Sequence, residues 1–513
     1  MALWRSTFIV SAMTMLSRVL GLVRDMVLLN VFGAGKDFDT FVVAFRIPNF
    51  FRRLFAEGAF SQAFIPILTE YKTTKLHDEV QILISRVFGC LLTVMSLLTL
   101  FCMVVAPAIL YVYAPGFHHD PAKFDLAVSM FRLTIPYLMF MSLTAFASSI
   151  LNSYGSFSTP AFAPVLLNVA MIAGAWWLAP HLAEPIMALG WAVVLAGILQ
   201  LAIQIPELWR KKLLIPPKVD FKHEGVERIL KLMLPALFGV SVTQINLLLN
   251  TIWASFMQDG SVSWLYSAER MTELPLGLIG VAIGTVILPS LSMHKAGHDQ
   301  VKFRAMLDWA ARVIVLVGVP ASIALFMLST PIIQALFQHG AFDLRDTQMT
   351  AMALQCMSGG VLGFMLIKVF APGFYAMQDT RTPVRVGLMA VAANALLNVI
   401  FIGIFKWIDW QAEHIALAIA SSGSACVNAG MLYYYLHKRN IFRFGGHWKV
   451  LSIRFLVANL AMIAALWCGL TWYDGTVSQW LRIVEVAGLC VVGVVAYAVA
   501  LLACGFRPRH LNH

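Results

Sequence analysis

The sequence has few charged residues, and no long polar stretch interrupts it. Asp, Glu, Lys and Arg make up 12% of the 513 residues, whereas an ordinary soluble protein carries about 25%. Hydrophobic residues make up 60% of the chain, and its mean hydropathy is +0.78. These values exclude a water-soluble fold, and the lack of a long polar stretch leaves no room for a separate soluble domain.

The cysteines lack the spacing of a metal site or a redox pair. All seven lie in apolar segments, and none forms a CxxC pair. We interpret them as small core residues. No metal site and no cofactor is expected.

Apolar runs long enough to cross a bilayer, about 20 residues each, recur along the chain. They predict an all-α polytopic membrane protein with about fourteen transmembrane helices. The predicted spans are 7–32, 38–68, 80–112, 125–154, 160–180, 185–206, 225–257, 262–292, 303–328, 347–374, 383–404, 413–437, 448–472 and 480–505.

The basic residues fall mainly on one side of these spans. Segments on the side of the N-terminus carry nineteen Lys and Arg, and the opposite loops carry four, namely Lys36, Lys123, Arg345 and Lys406. Cytoplasmic loops carry the excess of Lys and Arg, so both termini are expected in the cytoplasm. The same asymmetry accounts for the net charge of +11 without a nucleic-acid partner.

Short motifs recur at an offset of 223 residues. The matched pairs are Ala59 with Ala282, Pro66–Leu68 with Pro289–Leu291, and Thr159-Pro160 with Thr382-Pro383. The recurrence predicts two parallel six-helix repeats around a central cavity. We expect an N-terminal lobe at 1–215, a C-terminal lobe at 216–440, and two additional C-terminal helices at 441–513.

Three predicted spans hold charges where a bilayer penalises them by about 2.5–3.5 kcal/mol each. The charged residues are Arg18, Arg24 and Asp25 in the first span, Asp39, Arg46, Arg52, Arg53 and Glu57 in the second, and Glu269, Arg270 and Glu273 in the eighth. Helical periodicity places Asp39, Arg46, Arg53 and Glu57 within about 40° on one face. Such a face is expected to point at a water-filled cavity.

Two interpretations of these charges stay open at the level of the residues. The acids Asp25, Asp39, Glu57 and Glu273 could form salt bridges that hold the helix bundle together. The cations, however, are all arginines and outnumber the acids, six to five. Arginine offers a rigid fork of donors that suits phosphate, which favours an anion-binding cavity in a carrier. The pattern does not distinguish a soluble phosphate ligand from a lipid-linked one.

Several motifs along the chain resemble those of the MurJ/MviN family, the peptidoglycan lipid II flippases. They are Ser11–Asp25, Phe32–Gly35, Asp39–Phe41, Arg46–Phe60, Ser61–Pro66, Gly260–Trp264, Ile287–Leu291 and Val369–Phe374. The resemblance implies a fourteen-helix fold of the multidrug/oligosaccharidyl-lipid/polysaccharide exporter superfamily. It also implies transport of lipid II, the undecaprenyl-diphosphate-linked disaccharide-peptide, from the cytoplasmic to the periplasmic leaflet.

The resemblance assigns roles to particular residues. It implies that Arg18, Arg24, Arg52 and Arg270, with Arg53 beside them, bind the substrate in the cavity. Supporting or gating roles fall on Asp25, Asp39, Arg46, Glu57 and Glu273. By similarity, the lipid tail lies beside the last two helices. Membrane lipids are the surrounding partners, and other cell-wall synthesis proteins are candidate partners.

Some relatives use a cation site among the seventh, eleventh and twelfth helices. Here those helices offer Gln244, Asn246, Asn250, Asn394 and Asn398, with no central carboxylate. We interpret these amides as polar core packing and predict no sodium site.

Four other functions compete with a lipid II flippase. A multidrug cation exporter of the same superfamily would need an acidic cavity, and a flippase for another polyprenyl-linked glycan is chemically closer. A membrane enzyme would need catalytic groups in ordered outer loops, where His118-His119-Asp120 is the only suggestive cluster and lacks further ligands. A scaffold role leaves the arginines unexplained. The sequence therefore predicts a transporter and not an enzyme.

Overall fold

The structure is a computed structural model that describes residues 2–54, 60–277, 287, 291, 293, 299–445 and 447–507. These residues form helices joined by turns, and no strand occurs among them. By its internal contacts the chain divides into two compact units, Met1–Val262 and Ser263–His513, which we call unit 1 and unit 2.

Unit 1 contains eleven described α-helices and the start of a twelfth. The helices are α1 (Ala2–Phe32), α2 (Lys36–Leu54), α3 (Phe60–Thr74), α4 (His77–Val104), α5 (Ala106–Tyr113), α6 (Pro121–Thr134), α7 (Pro136–Ser153), α8 (Ser158–Ala173), α9 (Met187–Ala202), α10 (Ile205–Arg210), α11 (Glu224–Ser255) and α12 (Ser261–Pro275). A 3₁₀ turn at Pro115–His119 joins α5 to α6, and α8 continues into a π turn at Gly174–Leu178.

Unit 2 contains most of α12 and seven further described helices. They are α13 (Gln300–Met327), α14 (Ser329–Phe337), α15 (Leu344–Ala376), α16 (Arg381–Trp407), α17 (His414–Lys438), α18 (His447–Leu470) and α19 (Gln479–Ala503).

Ten helical segments in the described part of the chain are long and apolar enough to cross a membrane. They correspond to the predicted third to sixth and ninth to fourteenth spans within a few residues, except that the third span was predicted to residue 112 and α4 ends at Val104. An all-α, multi-pass membrane protein is therefore confirmed.

The other four predicted spans contain the buried charges or run into undescribed residues. Helices α1 and α11 have 31 and 32 residues, which exceeds the roughly 20 needed to cross a bilayer. The second span comprises α2 and α3, with residues 55–59 outside the description, and α12 is described as a helix to Pro275. The count of fourteen spans and the paired repeats stay predictions.

Each unit has its own apolar core. In unit 1, Phe60, Phe64 and Phe146 pack ring against ring and join α3 to α7, with Leu83 of α4 buried in the same cluster. In unit 2, Leu307, Met365 and Leu436 bring α13, α15 and α17 together. Burial of apolar side chains at about 25 cal/mol per Å² stabilises each of these cores.

Helices α18 and α19 dock on α13 and α14 within unit 2. The Trp448 indole donates to Asp308 at 2.7 Å, and the Tyr497 hydroxyl donates to the Leu316 carbonyl at 2.8 Å. The predicted lobe boundaries at 215/216 and 440/441 follow a sequence repeat, whereas the compact units follow contacts and separate after Val262. The lobe boundaries stay predictions.

The basic segment 211–223 between α10 and α11, which we call the strap, lies along α4. The Ser85 backbone carbonyl accepts a hydrogen bond from the Lys218 amide at 3.1 Å, and the Ser85 hydroxyl donates to the Pro216 carbonyl at 2.7 Å. The Gln81 side chain donates to the Lys212 carbonyl at 2.8 Å. The strap can approach this closely because Gly89 has no side chain, and a Cβ there would overlap the backbone of Lys218.

We therefore expect Gly89→Ala to displace the strap from α4 and free its backbone for cleavage. Limited trypsin digestion should then cut at Lys211, Lys212 or Lys218 at least about tenfold faster than in the parent protein, since cleavage requires an exposed backbone. Gly403→Ala is the matched control, because a Cβ at Gly403 of α16 meets no atom within 4 Å. Equal cleavage in the two variants would contradict the strap assignment.

Candidate functional site

Arg24 is held in unit 1 by two polar partners. Its guanidinium donates to the Asp25 carboxylate at 2.7 and 2.9 Å, and its Nη1 donates to the Asn168 side-chain oxygen at 3.1 Å. Asn168 lies on α8, which packs along α1, and its own amide donates to the Ser17 carbonyl at 3.0 Å. Arg24 is only 6% exposed, so these contacts fix its side chain.

Arg46 is buried on α2 and reaches α11. Its Nη1 donates to the Thr251 hydroxyl at 2.6 Å, and Thr251 donates in turn to the Leu247 carbonyl of its own helix. A buried guanidinium needs acceptors because desolvation of a charge is costly. This contact is of the scaffolding kind that the sequence left open.

Arg18 and Arg52 are less enclosed. Both side chains are partly exposed. Arg52 donates through Nε to the Asn49 side chain at 2.9 Å, one turn earlier on α2. Within the described residues, Arg18 makes neither a hydrogen bond nor an ion pair. The partial exposure of these two side chains makes them accessible to solvent or to a ligand.

The Asp39 carboxylate pairs with a lysine, Lys123. The carboxylate lies 3.4 Å from the Lys123 ammonium and accepts from the Gly260 amide at 2.8 Å. Lys123 is buried at the start of α6, although the sequence assigned it to an outer loop among solvated cations. The predicted supporting acid is therefore part of an ion-pair cluster of its own.

Arg270 and Glu273 of α12 form a pair within unit 2. Their side chains are 3.0 Å apart and are 29% and 46% exposed, and the guanidinium lies 5.8 Å from the centre of the Tyr266 ring. An i,i+3 pair at this exposure contributes about 0.3–0.5 kcal/mol, which would hold the guanidinium in place without consuming its charge. The predicted sites at the Arg53 side chain and at Glu57 lie outside the described residues.

Sequence reasoning missed the neutral partners of the arginines. Asn168 and Thr251 are single polar residues in apolar or mixed segments, and nothing in their spacing indicates a contact with a distant helix, whereas Asn49 lies one turn before Arg52 on α2. Lys123 is the third residue of α6, after the N-cap residue Asp120, and nothing in this pattern indicates that its side chain is buried.

The fold and the arginines together define the class of protein. This is a helical, multi-pass membrane protein in which Arg24 and Arg46 are buried on polar partners, whereas Arg18, Arg52 and Arg270 are partly exposed. Ionisable groups within membrane spans are costly and mark functional sites.

Comparison with known proteins identifies the family. The family model described as "Lipid II flippase MurJ" matches residues 28–488. A "Probable lipid II flippase MurJ" of Haemophilus influenzae is 42% identical over 97% of this chain and 99% of its own length. A "Lipid II flippase MurJ" of Burkholderia cenocepacia is 41% identical over 100% of this chain and 99% of its own. The chain belongs to the MurJ family.

Solved structures share the fold at lower identity. "Lipid II flippase MurJ, inward closed conformation" superposes with a TM-score of 0.76 at 24% identity, covering 96% of this chain and 98% of that one. An inward-facing multidrug resistance transporter of the MATE family gives 0.68 at 13% identity, over 85% and 98%. This chain therefore shares the fold of these two solved structures.

We expect Asn168→Leu to destabilise unit 1, because it removes an acceptor from a buried guanidinium while keeping the side-chain volume close. A hydrogen bond to a charged group contributes about 1.5–3 kcal/mol, so the apparent Tm in detergent should fall by several degrees. Asn459→Leu is the control, since the Asn459 amide donates to Phe455 of its own helix. If Asn459→Leu lowers the apparent Tm as much as Asn168→Leu does, Asn168 does not stabilise unit 1 through Arg24.

Proposed function

We propose that this protein is a lipid II flippase. It would move the undecaprenyl-diphosphate-linked disaccharide-peptide from the cytoplasmic to the periplasmic leaflet of the inner membrane. The observation that carries this proposal is the near end-to-end similarity, at 41–43% identity, to proteins named as lipid II flippases or probable ones.

The arginines supply the chemistry for the anionic part of the substrate. A diphosphate carries about two negative charges, and each charge-assisted hydrogen bond to it contributes about 1.5–3 kcal/mol. Arg18, Arg52 and Arg270 would make these bonds, because their side chains are partly exposed. Arg24 would add its charge from a position fixed by Asp25 and Asn168. Arg53 is proposed beside Arg52, and Glu57 as a gate, on the resemblance alone.

Alternating access would move the bound head group across the membrane. In this proposal two six-helix lobes, 1–215 and 216–440, surround a central cavity, and the helices of 441–513 complete a set of fourteen. Both termini would lie in the cytoplasm, where the Lys and Arg excess places them. Related folds are described in inward-closed, inward-facing and outward-facing conformations, which supports such a cycle.

Translocation of this kind breaks no covalent bond, so the protein would act as a transporter and not as an enzyme. The alternative is a flippase for another polyprenyl-linked glycan, which would present the same diphosphate to the same arginines. The two flippases differ only in the glycan that they carry. The lipid-linked glycan that accumulates when the protein is depleted distinguishes them. Basic cytoplasmic segments could in addition contact other cell-wall synthesis proteins.

We expect Arg18→Ala, Arg24→Ala, Arg52→Ala and Arg270→Ala each to abolish growth of cells depleted of their own flippase. Loss of one arginine removes one or two charge-assisted bonds to the diphosphate, a loss of about tenfold or more in affinity. Membrane insertion should stay at the parental level. Arg132→Ala is the control, because exposed Arg132 of α6 donates to the Met103 carbonyl and is given no role in binding.

Lysine at the same positions separates a general positive field from a bidentate contact. Lysine keeps the charge but lacks the planar fork, so Arg18→Lys and Arg270→Lys should support much weaker growth than the parent. Normal growth of all four alanine variants would rule out the arginine cavity, whatever the lysine variants do.

Depletion of the protein, followed by a leaflet-resolved assay of lipid II, tests the substrate itself. We expect the outer-leaflet pool to fall and the cytoplasmic-leaflet pool to rise, because translocation is the step removed. An unchanged outer pool refutes the flippase proposal. Accumulation of a different polyprenyl-linked glycan, with lipid II unchanged, would select the alternative.

A further inference from the structure

Lys123 lies at the centre of a cluster of charged side chains, and the proposed function gives Lys123 no role. Its ammonium lies 2.5 Å from an Asp259 oxygen and 3.4 Å from an Asp39 oxygen, and 4.2 Å from the centre of the Phe117 ring. The lysine side chain is only 5% exposed. A lysine buried to this extent requires paired charges, and here two acids from different segments share it.

The two acids tie a short segment to α2. Asp39 lies in the first turn of α2, and Asp259 lies in the segment 256–260 between α11 and α12, which we call the connector. Asp39 is buried and also accepts from the Gly260 amide at 2.8 Å. The connector is thus held by a backbone hydrogen bond on one side and by the Lys123 ammonium on the other.

Two further features fix the path of the chain at this point. The Gly116 amide donates to the Ser255 hydroxyl at 3.1 Å, where α11 ends against the 3₁₀ turn. Gly260 has a φ of +94°, a conformation that other residues adopt only with strain. The connector therefore has one well-defined route from α11 to α12.

We propose that Lys123 is a positioning residue that clamps the connector to unit 1. Helix α12, which carries Arg270 and Glu273, then starts from a fixed point. This step rests on the proposed function only in so far as Arg270 binds substrate. Removal of Lys123 alone would leave the Asp39 carboxylate buried without its cation and would release Asp259.

A surface ion pair near α6 provides the matched comparison. Lys36 and Asp120 are also 2.5 Å apart, but their side chains are 35% and 44% exposed. Exposed pairs of this kind contribute little. The acid of this pair carries a lowered pKa, first because Lys36 donates to it and second because it caps the Lys123 amide. Lys36→Met therefore removes an equivalent lysine without leaving a buried charge.

Hydrogen–deuterium exchange of the full-length protein in detergent measures the clamp directly. In Lys123→Met, we expect amides of residues 256–262 to exchange at least about tenfold faster than in the parent, with lipid II translocation reduced by a similar factor. Lys36→Met should leave both unchanged. In the double variant Asp39→Asn with Lys123→Met, the exchange rate and the translocation rate should both return to within about threefold of the parental values. The carboxylate that Lys123 neutralised is then gone, and the side-chain amide introduced at position 39 can still accept from Gly260.

Asp259→Asn keeps the test decisive if Lys123→Met does not fold. It leaves the buried Asp39–Lys123 pair intact, removes only the half-exposed carboxylate of the connector, and should speed exchange at 256–262 by about threefold. Parental exchange in both Lys123→Met and Asp259→Asn would overturn the clamp. Fully parental exchange in the double variant would also overturn it, because that variant lacks the ammonium that holds Asp259. If the parent moves no lipid II, the proposed function fails, while the exchange results still decide the clamp.

Discussion

An ionised side chain inside a membrane protein must have partners, and this requirement organises the structure. Removing one member of a buried ion pair costs about 3–5 kcal/mol, a large part of a typical folding free energy of 5–15 kcal/mol. Arg24 meets the requirement with Asp25 and Asn168, Arg46 with Thr251, and Lys123 with Asp39 and Asp259. Except for Arg24–Asp25, which lies within α1, these contacts join separate helices or segments of unit 1, so the charges also help to determine which elements pack together.

The same requirement separates two kinds of arginine. Arg24 and Arg46 are enclosed by protein and have directed hydrogen bonds, as supporting residues should. Arg18, Arg52 and Arg270 are partly exposed, as residues that meet a ligand should be. We therefore propose that the two interpretations of the sequence, scaffolding and anion binding, apply to different residues of one set. Asp39 belongs with the scaffold, because its cation is Lys123.

Family membership and physical chemistry contribute different parts of the functional argument. Arginine clusters in a transporter fold indicate an anion, and a phosphate group suits the guanidinium fork. They do not indicate which glycan the anion carries. Relatives that align over almost the whole chain supply that part of the proposal. The clamp at Lys123, by contrast, is argued from contacts of this chain alone.

The sequence by itself determined the membrane class, ten spans within a few residues and the family, because hydropathy and motif identity are local properties of the chain. It also located the charges that matter, since a bilayer makes any arginine in a span conspicuous. Only the tertiary structure decided the partners: Asn168 for Arg24, Thr251 for Arg46, and Lys123 for Asp39. These contacts join residues 84 to 205 positions apart, and helical periodicity fixes the face of a side chain but not the neighbour that this face meets.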